Sequence, residues 1–135
     1  MGSNCLDILV VDDQPGVRYL LDIVIKELGH RAHSAENGLE AVEKVRALRP
    51  DLVFMDVRMP IMDGLEALGK IKKMFPDTRV VIMTAYGSED TIYQAQKQGA
   101  LRCMAKPFDV ESIKDFLDEF TCQEIKKNKR RANII

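Results

Sequence analysis

Ile8-Leu9-Val10-Val11-Asp12-Asp13 is the stretch from which the architecture can be read: four consecutive apolar residues that stop at two carboxylates. A strand wetted on one face would alternate apolar and polar residues, whereas an unbroken run suits a parallel strand covered on both sides. The pattern recurs downstream. Leu52-Val53-Phe54-Met55 stops at Asp56, and Val80-Val81-Ile82-Met83 stops at Thr84. Leu101 to Ala105 leads into Lys106-Pro107, while Arg31 to Ala35 is less apolar and is expected at a sheet edge.

Helical patterns fill the gaps. Val17, Leu20, Leu21, Val24, Ile25 and Leu28 share one face, and Gly29 supplies a stop. Asn37-Gly38 introduces a helix bearing Leu39, Ala41, Val42, Val45 and Leu48, ended by Pro50; Pro60 and Asp63-Gly64 mark a turn before Leu65, Leu68, Ile71 and Met74. Ser88-Glu89-Asp90 opens a helix with few apolar residues beyond Ile92 and Ala95, which is expected to be the least firmly packed. Ile113, Phe116, Leu117 and Phe120 mark the last helix. Five strands alternating with five helices require right-handed crossovers and an open sheet with helices on both faces. Ligands of such sheets bind beyond the carboxyl ends of the strands, where strand order reverses.

Composition sets the bounds. A chain of 135 residues suits one core, and 46% hydrophobic with 30% charged residues is far from the composition of disorder. The longest apolar runs are a few residues, too short to span a bilayer, and the first residues carry no basic-then-apolar leader. Cys5, Cys103 and Cys122 are an odd, widely spaced set that reads as thiols of a reducing cytoplasm. Net charge is −1, yet residues 121–135 carry +4, leaving −5 on the first 120. That basic stretch has no aromatic residue for base stacking, so a helix extension or tail is expected rather than a nucleic-acid site.

The candidate chemistry lies at the strand ends: Asp12, Asp13, Asp56, Thr84 and Lys106. Each alone has a bland reading, as a helix cap, a strand-end hydroxyl or a surface cation. Folded into one parallel sheet, they would place three carboxylates, a hydroxyl and an ammonium in one shallow pocket. Three carboxylates repel, and one lysine offsets only part of that charge. A hard divalent ion such as Mg²⁺, held by one or two carboxylates and keeping waters for a phosphate, resolves the conflict. Thr84 and Lys106 can donate to phosphoryl oxygens.

At these residues the sequence resembles the receiver domains of two-component response regulators. The likeness covers about residues 6–120 and rests on Val11-Asp12-Asp13, Asp56-Val57-Arg58-Met59-Pro60, Met62-Asp63-Gly64, Met83-Thr84-Ala85 and Lys106-Pro107-Phe108. It implies a flavodoxin-like (βα)5 three-layer sandwich with a parallel sheet of order 2-1-3-4-5. It also implies that Asp56 accepts phosphate and that Asp13 binds Mg²⁺ directly, with Asp12 acting through water and the Arg58 carbonyl as a further ligand. Mn²⁺ or Ca²⁺ would substitute for Mg²⁺. Thr84 and Lys106 would hold phosphoryl oxygens, and the Lys106-Pro107 bond would be cis.

Within the family, Asp12-Asp13-Gln14 with Gly16 and Arg18, Arg49-Pro50-Asp51-Leu52-Val53 and Ile82-Met83-Thr84-Ala85-Tyr86-Gly87 are similar to single-domain relay members of sporulation phosphorelays. That likeness implies a sensor histidine kinase and a histidine phosphotransfer protein as partners. Their contacts would be Gln14, Gly16, Val17, Arg18, Leu20, Tyr86, Pro107 and Phe108. Many receivers carry Tyr or Phe three residues before the final lysine; here Cys103 stands there, which suits a relay component better than an output switch. The sequence ends at Ile135, so a standalone, monomeric receiver is expected: residues 1–5 an extension, 6–120 the domain, 121–135 the basic tail.

Other classes share parts of this pattern. A flavin-binding domain would follow its first strand with a loop of small donors for the phosphate, not two carboxylates. Phosphatases that use an aspartyl phosphate carry Asp-x-Asp after one strand, not the adjacent Asp12-Asp13. A binding switch activated by phosphorylation, or the receiver portion of a DNA-binding regulator, would keep the domain and change only its role.

Overall fold

Strands and helices alternate without exception along the chain: β1 (Asp7–Val11), α1 (Pro15–Glu27), β2 (Arg31–Ala35), α2 (Gly38–Leu48), β3 (Leu52–Asp56), α3 (Gly64–Met74), β4 (Arg79–Thr84), α4 (Glu89–Lys97), β5 (Arg102–Ala105) and α5 (Val110–Asn133). The structure, a computed structural model, describes residues 5–85, 87–106 and 108–133, with side chains through residue 126. The five strands form one parallel sheet of order β2-β1-β3-β4-β5, the flavodoxin-like arrangement expected from the sequence. Among the described residues no helix is long and apolar enough to cross a membrane.

The unbroken apolar strands are explained by two cores, one on each face of the sheet. Ile8, Val10, Leu52, Phe54, Val81 and Met83 point to the face covered by α1 and α5, where Leu21, Ile25, Phe116 and Leu117 pack. Leu9, Val11, Val53, Met55, Val80 and Ile82 point to the other, against Val45 of α2, Leu68 and Ile71 of α3 and Ala95 of α4. Successive residues of a strand therefore serve opposite cores, and a polar residue at either parity would be buried without a partner.

Side-chain caps fix the helix starts. Asn37 Oδ1 accepts from the Glu40 N–H at 2.9 Å, Asp63 Oδ1 from Glu66 N–H at 2.8 Å and Ser88 Oγ from Thr91 N–H at 3.1 Å. At α1, Pro15 takes the first position, where its missing N–H costs nothing. Helix α2 stops two residues before Pro50, with Arg49 between them in the left-handed region at φ 48 and its guanidinium over the Phe75 ring. Helix α4 buries only Ala95, in keeping with its sparse apolar pattern.

Candidate functional site

Register places the polar residues. Val11 pairs with Met55, so the residues that follow, Asp12 and Asp56, leave the sheet side by side. Asp56 pairs with Met83 and Thr84 with Ala105, which carries Thr84 and Lys106 to the same edge. The Lys106 N–H donates to the Thr84 carbonyl at 2.9 Å, holding the end of β5 beside β4. All five residues named from the sequence thus meet at the carboxyl edge of the sheet, between the strands where its order reverses.

Asp12 is fully buried, Asp56 nearly so and Asp13 exposed, and a carboxylate oxygen from each lies within 4.8 Å of the others. The Lys106 ammonium makes an ion pair with Asp12 Oδ2 and lies 3.4 Å from Asp56 Oδ2. The second Asp12 oxygen accepts from the Gln14 N–H at 2.9 Å, and Asp56 Oδ1 accepts from the Val57 N–H at 2.9 Å. Burial, and then the neighbouring Asp12 charge, push the Asp56 carboxyl above the usual carboxylate range, with Lys106 opposing. Asp13, Asp56, Arg58, Thr84 and Lys106 line one open pocket, beneath which Asp12 is buried.

The donor set fits a hard divalent cation. Three carboxylates converge, one lysine compensates only part of their charge, and Asp13 faces solvent from which an ion and its waters enter. Both Asp12 oxygens already accept hydrogen bonds, whereas the exposed Asp13 carboxylate is open to meet a metal directly.

Backbone packing supports Asp56. A Cβ on Gly64 would overlap the Asp56 carbonyl, so the glycine lets the start of α3 close against the end of β3. The Gly64 N–H donates to the Val57 carbonyl at 2.7 Å. Gly38 plays a parallel part: its N–H donates to the Met62 carbonyl at 2.9 Å, and a Cβ there would come within 2.5 Å of that oxygen. Asn37-Gly38 reads in sequence only as a helix start; its fit against the loop that follows Asp56 appears only in three dimensions.

The residues expected at a partner surface divide. Gln14 at the N-cap of α1 and Gly16 and Leu20 on its first turns are exposed, along with Tyr19 at 70% and Ile23 at 38% exposure. Val17 and Phe108 are partly buried against the α1–α5 core. Arg18 is turned inward: its guanidinium donates to the Asp12 carbonyl at 2.7 Å and pairs with Glu36 at 3.2 Å. Tyr86, Pro107 and the expected cis Lys106-Pro107 bond lie outside the described residues. Cys103 is half-buried, and burial raises its thiol pKa, consistent with packing rather than reactivity.

A doubly wound sheet that gathers three acids, a lysine and a threonine at its switch point defines a phosphoryl-accepting signalling module, and residues 8–118 match the response regulator receiver domain model. The chain belongs to the response regulator receiver family, whose members are phosphorylated on aspartate. Among its relatives is sporulation initiation phosphotransferase F of Bacillus subtilis, 45% identical over 113 residues that cover 84% of this chain and 91% of that protein. The transcriptional regulatory protein ZraR of Klebsiella oxytoca is 44% identical over 119 residues, 88% of this chain but 27% of that one. A CheY-like receiver domain protein from Methanospirillum hungatei has the same fold, with TM-score 0.86, 23% identity and coverage of 91% of this chain and 98% of that one.

Proposed function

We propose that Asp56 is the phosphoacceptor and that the chain relays phosphate between histidine-bearing partners in a Mg²⁺-dependent reaction. The observation that carries this reading is the convergence of the Asp12, Asp13 and Asp56 carboxylates within 4.8 Å, with Lys106 3.4 Å from Asp56. Mg²⁺ held by Asp13, Asp56 and the Arg58 carbonyl, with Asp12 behind it through water, would supply charge neutralisation between donor and acceptor. Mn²⁺ or Ca²⁺ would fill the same oxygen set.

The chain's own groups do the rest. An Asp56 oxygen attacks the phosphorus of a phosphohistidine, the P–N bond breaks as the O–P bond forms, and the imidazole leaves and takes a proton from solvent. Lys106 and Thr84 donate to the phosphoryl oxygens, and the Val57 N–H already holds the second Asp56 oxygen in place. Transfer to a histidine phosphotransfer protein reverses these steps. A docking face would run from Gln14, which lines the acidic pocket, along α1 through Gly16, Leu20 and the exposed Tyr19 and Ile23. Val17, Tyr86, Pro107 and Phe108 complete this proposed contact set. Cytoplasmic placement, with soluble kinase and relay domains, belongs to the same reading.

The relay role is tested by mixing the chain, phosphorylated on Asp56, with a purified histidine phosphotransfer protein of the same cell. The reading expects radiolabel to move both ways and to be lost with Asp56→Asn. No exchange, alongside normal labelling by small phosphodonors, would reject the relay and leave the receiver. A second reading places these residues in a transcriptional regulator. Supporting it are the 44% identity to ZraR and the continuation of α5 as helix to Asn133.

A further inference from the structure

We propose that Arg18 is a positioning residue for the metal-binding carboxylate of Asp13, acting through the Asp12–Asp13 peptide and not through a partner. The inference rests on the metal reading of the acidic cluster given above. Arg18 leaves the first turn of α1 and runs back under the strand end, where its side chain is only 17% exposed. One guanidinium nitrogen donates to the Asp12 carbonyl at 2.7 Å, and the other meets Glu36 Oε1 at 3.2 Å. The Asp12 N–H donates to the Ala35 carbonyl at 3.1 Å. The backbone of Asp12 is therefore held on both sides, by β2 through its N–H and by α1 through its carbonyl.

The carbonyl bond bears on Asp13 for a covalent reason. The Asp12 oxygen belongs to the same planar peptide unit as the Asp13 nitrogen, so fixing that oxygen fixes the plane from which the Asp13 side chain departs. Asp13 is exposed, and among the described residues no hydrogen bond or ion pair to its carboxylate is present. Its aim toward Asp56 depends on its backbone. An arginine suits the task because its planar fork presents two donors in fixed geometry, one for the carbonyl and one for Glu36. The Glu36 pair is 66% exposed on the acid side and contributes orientation of the guanidinium more than energy.

The test follows thermal unfolding of the whole chain against Mg²⁺ concentration, with no phosphodonor present. Removing a group that orients a metal ligand commonly weakens affinity ten- to a hundredfold, and Arg18→Ala is expected near the lower end, about tenfold. Arg18→Lys keeps one donor and should lose less; Glu36→Gln should stay within about twofold of the parent, because the carbonyl bond survives. Labelling of Arg18→Ala by acetyl phosphate should recover at raised Mg²⁺. An Arg18→Ala protein that folds and keeps the parental Mg²⁺ midpoint overturns the proposal, above all if only transfer from a phosphohistidine partner declines. If Arg18→Ala fails to fold, a parental midpoint in Arg18→Lys together with a shifted one in Glu36→Gln overturns it equally. A parent chain indifferent to Mg²⁺ would instead bring down the metal reading itself.

Discussion

At the scale of single residues, the loop after Asp56 concentrates backbone constraint. Ile61 is β-branched, 77% exposed and held at φ 71, a region that costs an L-residue about 1–2 kcal/mol. Ile61→Gly removes that strain but gives back some unfolded-state entropy, so a net gain of up to about 1 kcal/mol is expected in urea unfolding. Gly64→Ala has the opposite sign, because its Cβ meets the Asp56 backbone and cannot be accommodated by a rotamer. A loss of about 1–3 kcal/mol is expected, with labelling of Asp56 falling in parallel. Burial, and then the Asp12 charge, make the ionised form of Asp56 costly. Because its folded-state pKa is raised, stability declines as pH rises through the window above the ordinary carboxylate value. Asp56→Asn should therefore melt higher than the parent in metal-free buffer, while accepting no phosphate. The strand-end acids, Thr84 and Lys106 were legible in the sequence because each interrupts an apolar run. Arg18 and Gly38 were not, since their partners are carbonyls, and a carbonyl leaves no trace in residue type.

Among the elements, stability should be graded. Helix α4 contributes one buried side chain, whereas β1 and β3 are buried almost throughout. Amide exchange should be fastest among the helices in α4 and slowest in the two central strands; equal protection would contradict this grading. His30 ties three elements together near the opposite edge of the sheet. Its Nδ1 accepts from the Leu6 N–H at 3.1 Å, and its Nε2 lies 3.4 Å from Thr121 of α5, whose hydroxyl donates to the Leu117 carbonyl. Accepting at Nδ1 requires an unprotonated nitrogen, and burial lowers the ring's pKa below its usual 6.5, against the pull of Asp118 and Asp51. The contribution is complete above that value and is lost as pH falls below it, because the unfolded chain then binds the extra proton. Comparing melts between about pH 7.5 and pH 5, His30→Gln should show a shallower decline than the parent. Periodicity located each of the five strands and helices, including the weak α4. It did not show how far α5 runs, because residues 121–133 are polar and their helicity leaves no apolar stripe to read.

On the scale of the whole molecule, an excess of acid lies in the first 120 residues, and three of those acids meet at the switch point of the sheet. A cation that binds there stabilises the folded chain by mass action, by about 2.7 kcal/mol at a hundred times its dissociation constant. Mg²⁺ should therefore raise Tm, and Asp13→Ala should blunt the rise. The proposed function rests on that same meeting of charges, and its most direct test is the mass of the protein after incubation with acetyl phosphate, with and without Mg²⁺, followed by mapping of the adduct. The account predicts one phosphoryl group, on Asp56, formed only when the metal is present. An adduct that forms as readily after the metal is chelated, or that sits on another carboxylate of the folded chain, would contradict it.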